Sequence, residues 1–309
     1  MIGRLIFFAF AAYPSLVFAH GDGLPIGPDE IWHHWRFDVW IWGPLLTLHW
    51  LYGRGVLRAW RRAGFGRIIL PARVASFAAG EVILVIALIS PLDPLGETLL
   101  SAHMVQHLLL AAAAPPLLIL GAPATALVWA TPASWRNAAR WPPVRIATAI
   151  WSWLTRPLIA TSLHGLAIWL WHIPALFNFA LRDDGVHTAE HLSFLFTGLM
   201  FAASVLRRDT APFVGAMLVL ATFVHMGVMA AILVLSPTPL YAYGDFAMLW
   251  GMSGLSDQQL AGLIMWAPAG GVYLAAFAVV SALLLRAPDA SARARMGSIR
   301  ASTSSRSMK

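Results

Sequence analysis

The feature that most constrains this chain is an alternation of long apolar runs with short connections whose charge changes sign from one to the next. The runs lie at roughly 37–54, 72–91, 99–122, 157–181, 188–206, 212–236 and 258–286. Each is close to the length an α-helix needs to cross a hydrocarbon layer about 30 Å thick. A soluble domain carries about 25% charged residues, whereas this chain has 11% charged and 59% hydrophobic residues. The expectation is an all-α, polytopic membrane helix bundle with seven transmembrane helices, embedded in a lipid bilayer. No second domain and no internal repeat is visible, although one histidine motif occurs twice.

The charges give the bundle a direction. Arg54, Arg58, Arg61, Arg62, Arg67 and Arg73 follow the first run, Arg136, Arg140, Arg145 and Arg156 the third, and Arg207 and Arg208 the fifth. A basic tail over 287–309, rich in Ser and Arg, follows the last and reads as disordered. The alternate connections hold only Arg36 and Arg182, together with acids such as Asp29, Asp93, Glu97, Asp183, Asp184 and Asp257. Basic residues stay on the cytoplasmic side, so the N-terminus is expected outside and the C-terminus inside. The net charge of +7 comes from this loop arrangement. No basic–aromatic groove points to nucleic acid.

Residues 1–19, MIGRLIFFAFAAYPSLVFA, read as a signal peptide. Arg4 supplies the basic start, Leu5 to Ala12 the apolar stretch, and Val17-Phe18-Ala19 the cleavage signal. A cleaved peptide is preferred to an uncleaved helix, and it agrees with an outside N-terminus. Residues 20–286 then form the membrane domain, expected in a bacterial inner (cytoplasmic) membrane. Cleavage would make His20 the new N-terminus, where an α-amine and an imidazole can chelate copper. The Trp-, Pro- and Arg-rich stretch 129–156 reads as an interfacial segment.

Within this frame two histidine pairs stand out, His103-Met-Val-Gln-His107 and His187-Thr-Ala-Glu-His191. Residues four apart share a helix face, and both pairs open their runs at the outer side. Ionisable groups inside a bilayer are rare and mark functional sites. His172, ten residues before the end of the fourth run, is expected ~15 Å below the same surface. His225 and Glu81, near the middles of their runs, are further candidates, with Met229 beside His225. His49 and His164 read as interhelical hydrogen-bonding groups. Pro115, Pro116, Pro174 and Pro268 are expected to interrupt their helices. Ser256 with Gln259 reads as a capping box opening the last.

The chain has no cysteine, which removes disulfides and thiolate ligands together. The remaining ligand types are imidazole, thioether and carboxylate, which suit copper, with Zn also open. A haem held between histidines remains an alternative. The preferred site is a metal held by His103, His107, His172, His187 and His191. The chain carries no GxSxG, P-loop or HExxH motif, so no enzyme activity is expected. A copper or small-solute transporter is a further alternative, since transporters also use broken helices.

Three blocks carry a family resemblance. The first is His103-Met-Val-Gln-His107-Leu-Leu-Leu with Pro115-Pro116-Leu-Leu-Ile-Leu-Gly121-Ala-Pro123. The second is Trp171-His172-Ile-Pro174 with His187-Thr-Ala-Glu-His191, Phe194 and Gly198. The third is Asp257-Gln258-Gln259-Leu-Ala-Gly262 through Trp266-Ala-Pro268. Together they resemble the CtaG family of cytochrome c oxidase assembly factors, in its multi-spanning form. The resemblance implies a seven-span inner-membrane protein that assists maturation of a haem–copper oxidase, with oxidase subunits as partners and copper delivery as the usual supposition. It assigns no ligand.

Overall fold

Proline sets where many of these helices begin. Its missing N–H and fixed φ suit the first helical turn. Pro71, Pro123, Pro142, Pro157, Pro174 and Pro212 each open a helix. The computed structural model describes residues 25–132, 141–207 and 209–286, with side-chain placement to 278. Within these residues all regular structure is helical. In chain order the helices are α1 Val39–Ala63, α2 Pro71–Leu88, α3 Leu92–Thr98, α4 Leu100–Leu108, α5 Ala114–Leu120 and α6 Pro123–Ala130. They continue with α7 Pro142–Leu154, α8 Pro157–Trp171, α9 Pro174–Ala180, α10 Asp184–Val205, α11 Pro212–Leu235 and α12 Gly254–Arg286. The proposed signal peptide, His20 and the basic tail lie outside the described residues.

Each expected apolar run coincides with helix, and the chain has the character of a membrane protein. Among the described residues, four helical stretches are long and apolar enough to cross a bilayer: Pro71–Leu88, Leu100–Leu120, Pro212–Leu235 and Gly254–Ala278. The α8–α9 pair makes a fifth if its two parts, bent by 79°, count as one span. α1 and α10 fall outside that set. Arg54, Arg58, Arg61 and Arg62 dilute the second half of α1, and Asp184, His187, Glu190 and His191 dilute the start of α10.

Burial is inverted relative to a soluble fold. Leu158 is 75% exposed and Leu235 78%, while Gln106 and Glu190 are at 0%. Polar groups shun lipid and turn into the bundle, where helices can satisfy them. Among the contacts that build the interior, α11 packs extensively along α12, α1 lies on α6, α2 on α5, and α10 on α8. Glycine makes the tightest approach possible: a Cβ on Gly55 would sit 1.9 Å from the Ala126 carbonyl oxygen.

The prolines act in three different ways. The α4–α5 stretch stays continuous through a π-helical turn at Leu109–Ala113, just before Pro115 and Pro116. α12 runs through Pro268 without ending. Only Pro174 breaks its helix, because the residue before a proline favours extended backbone and Ile173 adopts ψ 124°. His172 therefore sits at the corner where the expected interruption falls. The capping expectation shifts as well. α12 begins at Gly254, so Ser256 lies inside it instead of at its N-cap, and its amide donates to the Ser253 hydroxyl at 3.1 Å.

Candidate metal centre

The histidine-bearing helices are held in register by their ends. α4 starts at Leu100, and its first amides are capped by a carboxylate from α12: Asp257 accepts from Leu100 N at 2.7 Å and Ser101 N at 3.1 Å. α10 starts where Asp183 Oδ1 accepts from Val186 N at 2.9 Å, so His187, Glu190 and His191 fall in its first two turns. The corner after α8 is tied to α10 by Trp171 Nε1 donating to Ser193 Oγ at 2.6 Å. These constraints bring the five expected histidines together.

The cluster is dense and closed. His103, His107, His172, His187 and His191 are all buried, none above 7% exposure. Ring centroids lie 4.2 Å apart for His103–His107 and 4.1 Å for His187–His191. Across the helices they lie 5.2 Å apart for His103–His187, 5.5 Å for His107–His191 and 6.0 Å for His107–His172. Phe177 and Phe194, both buried, wall the cluster. Two groups could hold one ion, His103 with His187 and His191, and His103 with His107 and Glu190; the ligand atoms of each lie within 4.8 Å of one another.

Glu190 is the residue the motif reading missed. It stands three positions after His187 on the same helical face, and its side chain is fully buried. One carboxylate oxygen is 3.8 Å from His103 Nε2 and the other 3.5 Å from His107 Nε2. Neither oxygen makes a hydrogen bond, nor does either ring nitrogen of His107 or Nε2 of His103. The proton of His103 is located by its other nitrogen. Nδ1 faces the Gly96 carbonyl oxygen at 3.3 Å and the Tyr243 hydroxyl at 3.0 Å, and that hydroxyl donates to the same carbonyl at 2.8 Å. A carbonyl only accepts, so Nδ1 carries the hydrogen. In the neutral ring Nε2 then points a lone pair toward a carboxylate. A buried carboxylate and an imidazole lone pair facing one another are satisfied together by a shared proton or by a metal ion between them. The arrangement is one that could hold a metal ion.

Tyr243 is likewise absent from any sequence signal, being 140 positions from its partner His103. Burial first, and the Glu190 carboxylate second, push its phenol well above the usual range. It therefore stays a donor. Near the cluster, Glu97 is pushed up to about 7, mainly by burial and then by the neighbouring Asp93 carboxylate. Asp93 is itself buried, paired with Arg36 and accepting from Gln106 Nε2 at 2.6 Å.

The remaining candidates are placed elsewhere. Glu81 accepts from His49 Nδ1 at 2.8 Å, between α1 and α2. His225 lies beside Gly165, where an added Cβ would stand 3.4 Å from its Nε2. Gly165 adjoins His164, which bridges Thr197 and Tyr273 at 3.1 Å each. Met229 is buried in the apolar core.

A comparison with protein families matches most of the chain: a model described as cytochrome c oxidase caa3 assembly factor covers residues 50–287. The chain belongs to that family. The stretch matched to the caa3 assembly factors contains every member of the cluster and leaves His20 outside. Similar curated proteins are the uncharacterized proteins Mb0105 of Mycobacterium bovis and MT0111 of Mycobacterium tuberculosis, each 24% identical over 276 residues, 85% of this chain. The uncharacterized protein ML1998 of Mycobacterium leprae is 25% identical over 243 residues, 75% of this chain and 36% of its own length. The chain spans 41% of the length of the first two. No solved structure matches.

Proposed function

We propose that this caa3-family assembly factor acts without turnover, holding copper as cargo for haem–copper oxidase subunits. The ion would rest among His103, His107, His187, Glu190 and His191, with His172 adjoining. The carrying observation is the buried pair of His103 Nε2 and the Glu190 carboxylate, which face each other at 3.8 Å with no hydrogen bond to any other group. Imidazole and carboxylate are suitable ligands for a divalent first-row ion. Ring separations between 4.1 and 6.0 Å support a single ion over a porphyrin, whose axial imidazoles stand on opposite faces of the macrocycle.

The topology that goes with this reading has seven spans after a cleaved signal peptide, in the inner membrane of a bacterium. The N-terminus is outside and the C-terminus inside. The cluster then lies toward the outer face, at the starts of α4 and α10. Support comes from the placement of arginines after α1, α5 and α10 and of acids at the opposite ends.

The experiment compares wild type with the double substitution His103→Asn and His107→Asn. The variant should reach the membrane at the normal level, carry less copper after purification, and lower oxidase activity in membranes. Equal copper content and equal oxidase activity in the two proteins would sink the reading.

A further inference from the structure

One buried residue of the α4 motif is absorbed by neither ion-pair group. Met104, between the two histidines, is 0% exposed, and its thioether sulfur lies 3.4 Å from His172 Nε2. On the other side of the same ring, His172 Nδ1 lies 2.7 Å from the Ile168 carbonyl oxygen. That carbonyl only accepts, so Nδ1 carries the hydrogen, and in the neutral ring Nε2 presents a lone pair to the sulfur. Both atoms are electron donors to a metal. A tetrahedral ion with nitrogen at about 2.0 Å and sulfur at about 2.3 Å holds the two roughly 3.5 Å apart. The observed separation needs no rearrangement to reach this value.

The pair also differs chemically from the rest of the cluster. The Glu190 carboxylate reaches His103 and His107, whereas His172 meets a thioether. His107, whose two ring nitrogens make no hydrogen bond, adjoins both groups. Thioether and imidazole without carboxylate select Cu(I) over harder divalent ions. The aromatic wall of Phe177 and Phe194 lies against His172 as well, and a dry shell favours the ion of lower charge.

We propose that Met104 Sδ and His172 Nε2 form a soft nitrogen–sulfur site for Cu(I), beside the imidazole–carboxylate nest. This rests on the copper reading above and adds a second site, selective for the reduced ion.

The test uses the full-length protein purified in detergent, with Cu(I) supplied anaerobically from a chromophoric chelator and Zn(II) as the hard-ion control. X-ray absorption of the Cu(I)-loaded wild type should show one sulfur in the first coordination sphere. Met104→Leu keeps the volume of the side chain and should remove that scatterer. It should weaken Cu(I) binding by at least about tenfold, the scale on which even an outer-sphere loss weakens a metal site, and leave Zn(II) affinity unchanged. A wild type that binds Cu(I) with nitrogen and oxygen alone overturns the proposal and leaves the copper reading standing. Equal loss of Cu(I) and Zn(II) affinity in the variant also overturns it. Failure of the wild type to bind copper in either oxidation state overturns both. The wild-type spectrum decides the matter even if the variant fails to fold.

Discussion

Asp257 caps a helix to which it does not belong: its carboxylate accepts from the backbone amide of Leu100, 157 positions earlier, at 2.7 Å. The same group takes the Ser101 amide. A helix N-terminus carries unpaired amides and a partial positive charge, which disfavours a cation at His103 one turn on. Asp257 offsets both. Asp257→Ala should cost about 1–2 kcal/mol, the usual range for a lost cap, and lower the melting temperature in detergent by several degrees. Asp257→Asn, which keeps one acceptor, should lie between. Equal melting of all three proteins would remove the capping role.

Glu97 predicts a pH dependence. Its carboxyl is raised from 4.5 to about 7 in the fold, so the folded protein keeps this proton where the unfolded chain has lost it. Its contribution to stability is therefore fullest below about pH 4.5 and is lost as pH rises through about 7. Melting temperatures recorded across this window should fall more steeply for wild type than for Glu97→Gln. Parallel curves for the two proteins would contradict the assignment.

Gly198 is where α10 touches the π-helical turn. An added Cβ would stand 2.4 Å from the Ala111 carbonyl oxygen and 2.8 Å from Pro115. Gly198→Ala must displace backbone and should destabilise by about 1–3 kcal/mol. It should also weaken metal retention, because α10 carries His187, Glu190 and His191. Gly53→Ala has open space at the same kind of helical position and should be neutral or stabilising by up to about 1 kcal/mol. Chemical denaturation of the two variants in parallel separates a packing effect from a general intolerance of substitution.

Tyr243→Phe removes the hydroxyl that accepts from His103 Nδ1 while leaving the ring in place. The Gly96 carbonyl still faces His103, so the fold should survive. Loss of an outer-sphere partner typically weakens a metal site by about 10–100-fold, and that drop is expected here with unchanged stoichiometry. A competition titration against a chelator of known strength measures it.

Much of the architecture could be read from the chain because it depends on local pattern. Apolar runs, proline at helix starts and i, i+4 histidines are local, and helices form where they indicate. The fourth run shows the boundary of such reasoning. Pro174 marked an interruption there, and the chain does break, but the size of the bend at His172, 79°, depends on packing that no local pattern carries. Glu190 was half visible, since its spacing from His187 is helical but its role depends on where α4 lies. Met104, Tyr243 and Asp257 act across separations of 68, 140 and about 157 positions. No periodicity encodes contacts between distant elements. Ser256 does not open the last helix because that helix begins two residues earlier, at Gly254, and the Ser256 amide donates to the Ser253 hydroxyl.

Tyr241 and Tyr243 stand two residues apart on one connection, yet they hold different parts of the cluster. Tyr241 donates to the His172 carbonyl oxygen at 3.0 Å, and Tyr243 holds Gly96 and His103. A single displacement of residues 241–243 therefore frees both edges of the cluster at once. The residence time of anything held behind these residues would be set by how often both tyrosine contacts break together. On the metal reading proposed above, an ion weakly held at equilibrium would then be slow to leak to a diffusing chelator.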